Sequence, residues 1–398
     1  MKTILVSSLK PGMAFSKPVY IEPDNQLVGA NEPISEADIE RLKKWKIMEV
    51  QTEGEIVTAK PKAEPVYQDA KEKIEVETAQ KDLAITVKSR TNFMDLLDKG
   101  DKTLREAYAA IASETPFQIS RVRSLAEEIV SMLEETPNIF MFLYYHPGVE
   151  SIYKHALHAA VYAAVLSNAV GFSTPKTIEL TFAVLLMDVG MMLVPESVLN
   201  KSGKLTEEEM KKIHAHTLQG YQLLTQSAKI KNSLAVVALE HHEHFDGSGY
   251  PRHIKGKDMS DYTKVATIAD SYAALLEAKA YRGAQLPYHA MKELLTLGIY
   301  RYDPIYLKAF LERMSMYPIG SVVQLSDNSV GLVVRSVAGK PMRPILLMLR
   351  DENGAVISSP VFIHLLYHKD KYITDALDPQ KAGIHLEREL EIIVENIG

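Results

Sequence analysis

Cysteine is absent from the 398-residue sequence, which removes a disulfide scaffold, a thiolate zinc site and a cysteine nucleophile from consideration. Long apolar runs are missing too. The most apolar stretch, Phe182 to Val194, is interrupted by Asp188 and is too short to cross a bilayer. No apolar core of a signal peptide forms before Lys10-Pro11-Gly12, so a cytoplasmic protein with no membrane span is expected. Nor is there an excess of positive charge, since 45 Lys and Arg stand against 51 Asp and Glu for a formal net charge of −6. That balance argues against a nucleic-acid polymer or an anionic membrane as partner. Low-complexity tracts and repeats are lacking, and 46% hydrophobic with 24% charged residues is ordinary globular composition.

What is present divides by texture. Residues 1–58 mix short β-like runs (Thr3–Val6, Val19–Ile21, Ile47–Gln51) with one helical pattern, in which Ser35 and Asp38 suggest a capping box ahead of Ile39, Leu42 and Trp45. This reads as a small α/β module. Residues 59–80 are charged and carry Pro61 and Pro65, as a linker would. From residue 81 to 313 the pattern is helical, with 81–134 as a connector and 135–315 as a helical domain. Two stripes in the connector (Leu96, Leu97, Leu104, Ala107, Ile111; Val122, Leu125, Ile129, Val130, Leu133) suit packing within the bundle or pairing with a second subunit, and a homodimer is the expected assembly. Residues 316–398 hold β-rich runs at Val322–Leu325, Val330–Val334, Ile345–Leu349 and Val356–Ile357. The expected fold is mainly α: a helical bundle between a small α/β module and a β-rich domain.

Nine of the 13 histidines fall between His146 and His253, where an even spread would put about three or four. Histidine and carboxylate together suit borderline divalent metals. His155 sits in a helical run, and His216 lies on a helix opened by the capping box Thr206 and Glu209. His241 and His242 end the next helix. Asp188 and Asp270 each close an apolar stretch, where a carboxylate is costly unless something cationic meets it. Singly, His216 reads as a helix histidine and either Asp as a cap or an arginine partner; His158, His214, His244 and His253 keep such structural roles. Jointly, the set reads as a metal centre.

The run His241-His242-Glu243-His244-Phe245-Asp246-Gly247-Ser248-Gly249-Tyr250-Pro251 resembles the HHExxDGxGYP motif of the HD-GYP family. The segment from Leu199 to Thr206, running on to His216 and Gly220, and Ile268-Ala269-Asp270 match that family in the same register. The resemblance implies an HD-type helical bundle and a divalent-metal phosphodiesterase for cyclic dinucleotides, chiefly cyclic di-GMP. It implies metal ligands at His155, Asp188, His216, His241, His242 and Asp270, with Asp188 bridging cations and activating water. It implies substrate contacts at Tyr250, Lys279 and Arg282; the last two stand one helical turn apart, so both can face an anion.

The sequence also departs from the family pattern. Met187-Asp188 replaces the His-Asp pair, and a thioether does not suit iron, manganese or zinc. Met191 stands where the family carries a phosphate-directed lysine, Ser151 where metal-rich members carry a glutamate, and Ala273 where a second aspartate is usual. The expectation is one metal per chain (iron, manganese or zinc) on Asp188, His216, His241 and His242, with a second weak or absent. Three readings follow. The chain is a degenerate member that binds a cyclic dinucleotide, or a protein partner through the loop Gly249-Tyr250-Pro251; or it is a working cyclic di-GMP phosphodiesterase; or the helical region is an inert dimerisation scaffold.

Overall fold

The computed structural model describes residues 2–22, 25–30, 33–34, 36–45, 47–57, 67–145, 151–199, 201, 203–277, 284–357 and 359–395. Two compact units emerge. One comprises Met1–Val87, Val322–Val337 and Arg343–Gly398; the other comprises Lys88–Ser321 and Ala338–Met342.

The first unit opens with β1 (Lys2–Leu5), β2 (Ala14–Phe15), β3 (Val19–Glu22), β4 (Asn25–Val28), α1 (Glu36–Lys44), β5 (Glu49–Thr52), β6 (Ile56–Val57) and α2 (Ala70–Lys88). A four-stranded sheet in the order β1-β5-β3-β4 buries Phe15, Val19, Leu27, Val28 and Val50 against Ile39 and Leu42 of α1. These are the apolar positions of the small α/β module. Ser35, the expected cap, lies outside the described residues, as do Pro61 and Pro65. The expected linker is partly a helix, because α2 begins at Ala70. Its charge is the solvated face, laddered as Lys71–Glu75 and Lys73–Glu77 pairs, while Val76, Ala79 and Leu83 point inward.

The second unit is helical: α3 (Arg90–Ala112), α4 (Ser120–Glu135), α5 (Ile152–Ala169), α6 (Thr174–Leu186), α7 (Glu196–Leu199), α8 (Glu207–Gln222), α9 (Asn232–Glu240), α10 (Asp261–Leu276), α11 (Pro287–Arg301) and α12 (Pro304–Met314). At the centre is α5, buried nearly all round because Ala156, Ala159, Ala160, Ala163 and Ala164 let α6 and α10 approach closely. Both connector stripes are covered by their own unit. Every residue named in them is buried, so packing accounts for them without a second subunit.

The chain then returns to the first unit with β7 (Val322–Leu325), β8 (Val330–Arg335), β9 (Ile345–Arg350), β10 (Phe362–His364), β11 (Ile373–Leu377) and α13 (Leu386–Glu395). The antiparallel sheet runs β10-β9-β8-β7-β11. Val356 makes only an isolated bridge with Arg350. The sequence reading has no helix here, yet Leu386, Leu390, Ile393 and Val394 bury one face of α13 at helical spacing. Among the described residues no helix is long and apolar enough to cross a membrane.

Candidate metal centre

The six side chains singled out as ligands come from five segments and meet at one place. Asp188 follows the buried end of α6, and the turn after it (Val189–Leu193) lies directly on α8. Two glycines make that possible. A Cβ on Gly190 would stand 2.0 Å from the His216 carbonyl oxygen and 2.6 Å from the Gly220 nitrogen. His216 is delivered by α8, whose capping box is complete: Thr206 Oγ1 accepts from Glu209 N at 3.2 Å and Glu209 Oε2 accepts from Thr206 N at 2.7 Å. His241 and His242 follow the last turn of α9. Asp270 projects from α10 among buried Val265, Ala266, Ile268 and Ala269, and His155 comes from the first turns of α5.

Two groups of donors result, His216 with His241 and His242, and His155 with Asp188 and Asp270; within each the ligand atoms lie inside 4.8 Å of one another. Asp188 joins them. Its Oδ1 is 3.5 Å from Nε2 of His216 and 3.5 Å from Nε2 of His241, whereas Oδ2 is 3.8 Å from Nε2 of His155. Asp270 also faces two ways, with Oδ1 2.8 Å from His155 Nε2 and Oδ2 3.6 Å from His242 Nδ1.

Backbone carbonyls fix the imidazoles. His216 Nδ1 donates to Ile213 O at 2.6 Å, and His241 Nδ1 donates to Ala238 O at 3.0 Å. When both rings are neutral each Nε2 is an acceptor, and the two stand 3.3 Å apart; burial works against charge on His241, but the Asp188 carboxylate beside it raises its pKa above the ordinary histidine value. Opposed lone pairs at that distance repel unless a cation or a proton lies between them. Donors at about 2.0–2.1 Å from a tetrahedral cation are separated by about 3.3–3.4 Å, which the 3.3, 3.5 and 3.5 Å edges of this triangle approach. The donor set fits a divalent metal.

Electrostatics follow position. Burial works against a charged Asp188, but His241, His155 and His216 around it hold the carboxyl well below its ordinary range. Asp270 is likewise lowered against burial, by His155 and His242. Burial and neighbouring His241 push His216 and His242 down, which keeps them neutral and able to ligate. Burial disfavours charge on His155 too, yet Glu277 and Asp270 raise it well above the ordinary histidine value.

Glu277 is the residue the sequence reading missed. Its side chain is buried, and both oxygens accept from His155 Nδ1 at 3.1 Å. It stands seven residues after Asp270, two turns along the same helix face, and that spacing was the available signal. The conspicuous substitutions also have local structural roles. Ser151 accepts from Lys154 N at 3.2 Å and caps α5, while Met187 and Ala273 are fully buried.

The motif after α9 folds tightly over the centre. Buried Glu243 accepts from the backbone N–H groups of Arg252 at 2.6 Å and Ile254 at 3.2 Å, and Glu240 accepts from Arg252 Nη1 at 2.7 Å and Thr263 Oγ1 at 2.9 Å. A Cβ on Gly249 would stand 2.3 Å from His244 N, so the loop closes only with glycine there. Tyr250 N donates to His242 O at 3.1 Å, placing the Tyr250 ring against His242. Burial, then Asp270 and Asp188, raise its phenol well above the ordinary value, so it stays a neutral donor. Lys279 and Arg282 lie outside the described residues.

The HD domain family matches residues 108–305, a span that holds all six donors, and a KOW domain associated with HD domains matches residues 322–384. Residues 108–305 therefore carry an HD domain. Curated relatives of this HD-domain chain include the cyclic di-GMP phosphodiesterase PdeB of Borreliella burgdorferi, 28% identical over 51% of this chain and 53% of its own length. The cyclic di-GMP phosphodiesterase response regulator RpfG of Xanthomonas campestris pv. campestris is 35% identical over 37% of this chain and 40% of its own. The 3'3'-cGAMP-specific phosphodiesterase 3 of Vibrio cholerae is 37% identical over 33% and 28% respectively. The chain spans about half or less of the length of these relatives. Among solved structures, Bd1817, an HDG"Y"P protein from Bdellovibrio bacteriovorus, is 16% identical over 78% of this chain and 97% of its own, at a TM-score of 0.48, too loose a likeness to argue from.

Proposed function

We propose that the HD domain binds a cyclic dinucleotide, cyclic di-GMP or a mixed one, over one cation held by Asp188, His216, His241 and His242, with hydrolysis slow or lost. The observation that carries this is the pair of Nε2 atoms of His216 and His241 facing each other at 3.3 Å beside Asp188 Oδ1. A divalent cation there supplies Lewis acidity toward a phosphodiester and toward water. The chain's own residues supply orientation: backbone carbonyls set both imidazoles, Asp188 faces both donor groups, and the Glu243-anchored loop sets Tyr250 against His242. The second donor group is less ready. Met187 offers no imidazole, and the 2.8 Å contact between His155 Nε2 and Asp270 already occupies the direction a second cation would use.

A working phosphodiesterase is the second reading, favoured by the two-way Asp188, whose oxygens address opposite histidine sets as a bridging carboxylate would. Elemental analysis of the purified chain, then cyclic di-GMP binding by calorimetry and product analysis, separates the readings. About one metal per chain with binding and negligible linear product is expected. Linear pGpG forming far faster than with a His241→Ala control establishes the phosphodiesterase, and failure to bind overturns both in favour of an inert scaffold.

A further inference from the structure

Two imidazoles crowd the Tyr250 ring. His214, two residues before His216 on α8, lies parallel to it with ring centroids 3.8 Å apart and planes at 13°. His242 stands 4.9 Å away, tilted at 33°. The backbone is held as firmly, by the N–H bond to His242 O and by Glu243 gripping the next turn at Arg252 and Ile254. A nucleobase that stacks on an aromatic side chain needs an open face, and here His214 takes one face while His242 crowds the ring. What remains is the edge with its hydroxyl. Tyr250 is only half-buried, and among the described residues that hydroxyl makes no hydrogen bond.

We infer that His214 is a positioning residue that holds Tyr250 edge-on, so that Tyr250 meets its ligand through the hydroxyl, and that the group it meets is a phosphoryl oxygen rather than a nucleobase. The inference rests on the cyclic-dinucleotide reading of the site and specifies which part of that ligand Tyr250 touches. A phenol O–H is a donor that wants an acceptor. Beside inward-facing lone pairs suited to a cation, the acceptors that arrive with a phosphodiester are its non-bridging oxygens. His214 stands outside the motif that contains Tyr250, and its imidazole supplies the flat surface that stops the ring from turning its face to the site.

The test uses the full, manganese-loaded chain with two probes, cyclic di-GMP and inorganic phosphate, in calorimetric titrations of the parent and the variants Tyr250→Phe, Tyr250→Leu, His214→Ala and His214→Phe, with metal per chain measured for each. Loss of the hydroxyl alone in Tyr250→Phe is expected to weaken both probes by about tenfold at unchanged metal content, consistent with a lost hydrogen bond of about 1–2 kcal/mol. His214→Ala should weaken both by a similar factor, and His214→Phe, which keeps a ring on that face, should recover most of the loss. The inference is overturned if Tyr250→Phe matches the parent while Tyr250→Leu loses cyclic di-GMP alone, because the face then reads a base. It is equally overturned if Tyr250→Phe weakens cyclic di-GMP but not phosphate, or if His214→Ala matches the parent. A parent that binds phosphate but not cyclic di-GMP sinks the functional reading and leaves the phosphate arm to judge Tyr250. A parent that binds neither sinks both.

Discussion

Glu277 shows how one side chain changes the account of a site. A carboxylate behind an imidazole fixes the ring's tautomer and orientation for whatever its far nitrogen meets, and Glu277 does this for His155 at 3.1 Å. Replacing it with alanine is expected to lower the affinity of the second donor group for manganese by about 10- to 100-fold, with Glu277→Gln intermediate because its amide oxygen still accepts; titration of metal-stripped protein by manganese spectroscopy would show it. Unchanged affinity in Glu277→Ala would mean that His155 needs no such support. Met187→His addresses the same group from the other side and should raise metal per chain above the parental value. At this scale the sequence was informative about which residues carry the chemistry. The density of histidines and the acids ending apolar stretches pointed to a metal centre, the resemblance to the HD-GYP motif implied the six donors, and their side chains come together in the structure. Only the seven-residue spacing from Asp270 hinted at Glu277, because a glutamate at a helix end looks the same whether it meets solvent or an imidazole. Nor could it show that Ser151 is committed to a helix cap.

Among the elements, those with an explicit start signal were the legible ones. Thr206 and Glu209 form the expected box on α8, and Thr206→Ala should cost about 1 kcal/mol in urea unfolding. The linker was misread because α2 wears its charge outward and hides Val76, Ala79 and Leu83 behind it. The contact between the Asp188 turn and α8 had no sequence signal beyond two glycines. Gly190→Ala should force those elements apart at a cost of about 1–3 kcal/mol, and metal content should fall with it, since Asp188 would move away from His216. Retained metal in Gly190→Ala would show that the turn can shift without moving Asp188. The β7–β8 turn carries a pH signature. Burial opposes charge on Asp327, but Lys371 Nζ at 2.5 Å and Ser329 Oγ at 2.6 Å hold the carboxyl down at about 2. A carboxyl lowered on folding stabilises above its unfolded value of 3.8 and loses that contribution as the pH falls through 2. The stability gap between the parent and Asp327→Asn, read from urea melts, should be full at pH 6 and shrink on acidification below pH 4.

For the molecule as a whole, the texture of the sequence suggested separate terminal modules, and the structure gathers both ends of the chain into one compact unit. Long-range pairs make that unit: His364 Nε2 donates to Glu75 at 2.7 Å, Arg335 Nη1 donates to Asp82 at 2.7 Å, and the Arg388 guanidinium lies 5.6 Å from the Trp45 ring. No local pattern reveals partners so far apart in sequence. His364 is fully buried, with Nδ1 accepting from Leu366 N at 3.3 Å. Its replacement by alanine should leave Glu75 without its donor and cost about 1–3 kcal/mol, seen as a lower urea midpoint for the terminal unit.

The opposed nitrogens of His216 and His241 have a practical corollary for anyone handling this protein. On the one-cation reading, a cage of facing lone pairs is expected to take up adventitious ions from glassware, resin or buffer salts. The identity of its occupant after purification will then record the history of the preparation as much as the choice made in the cell.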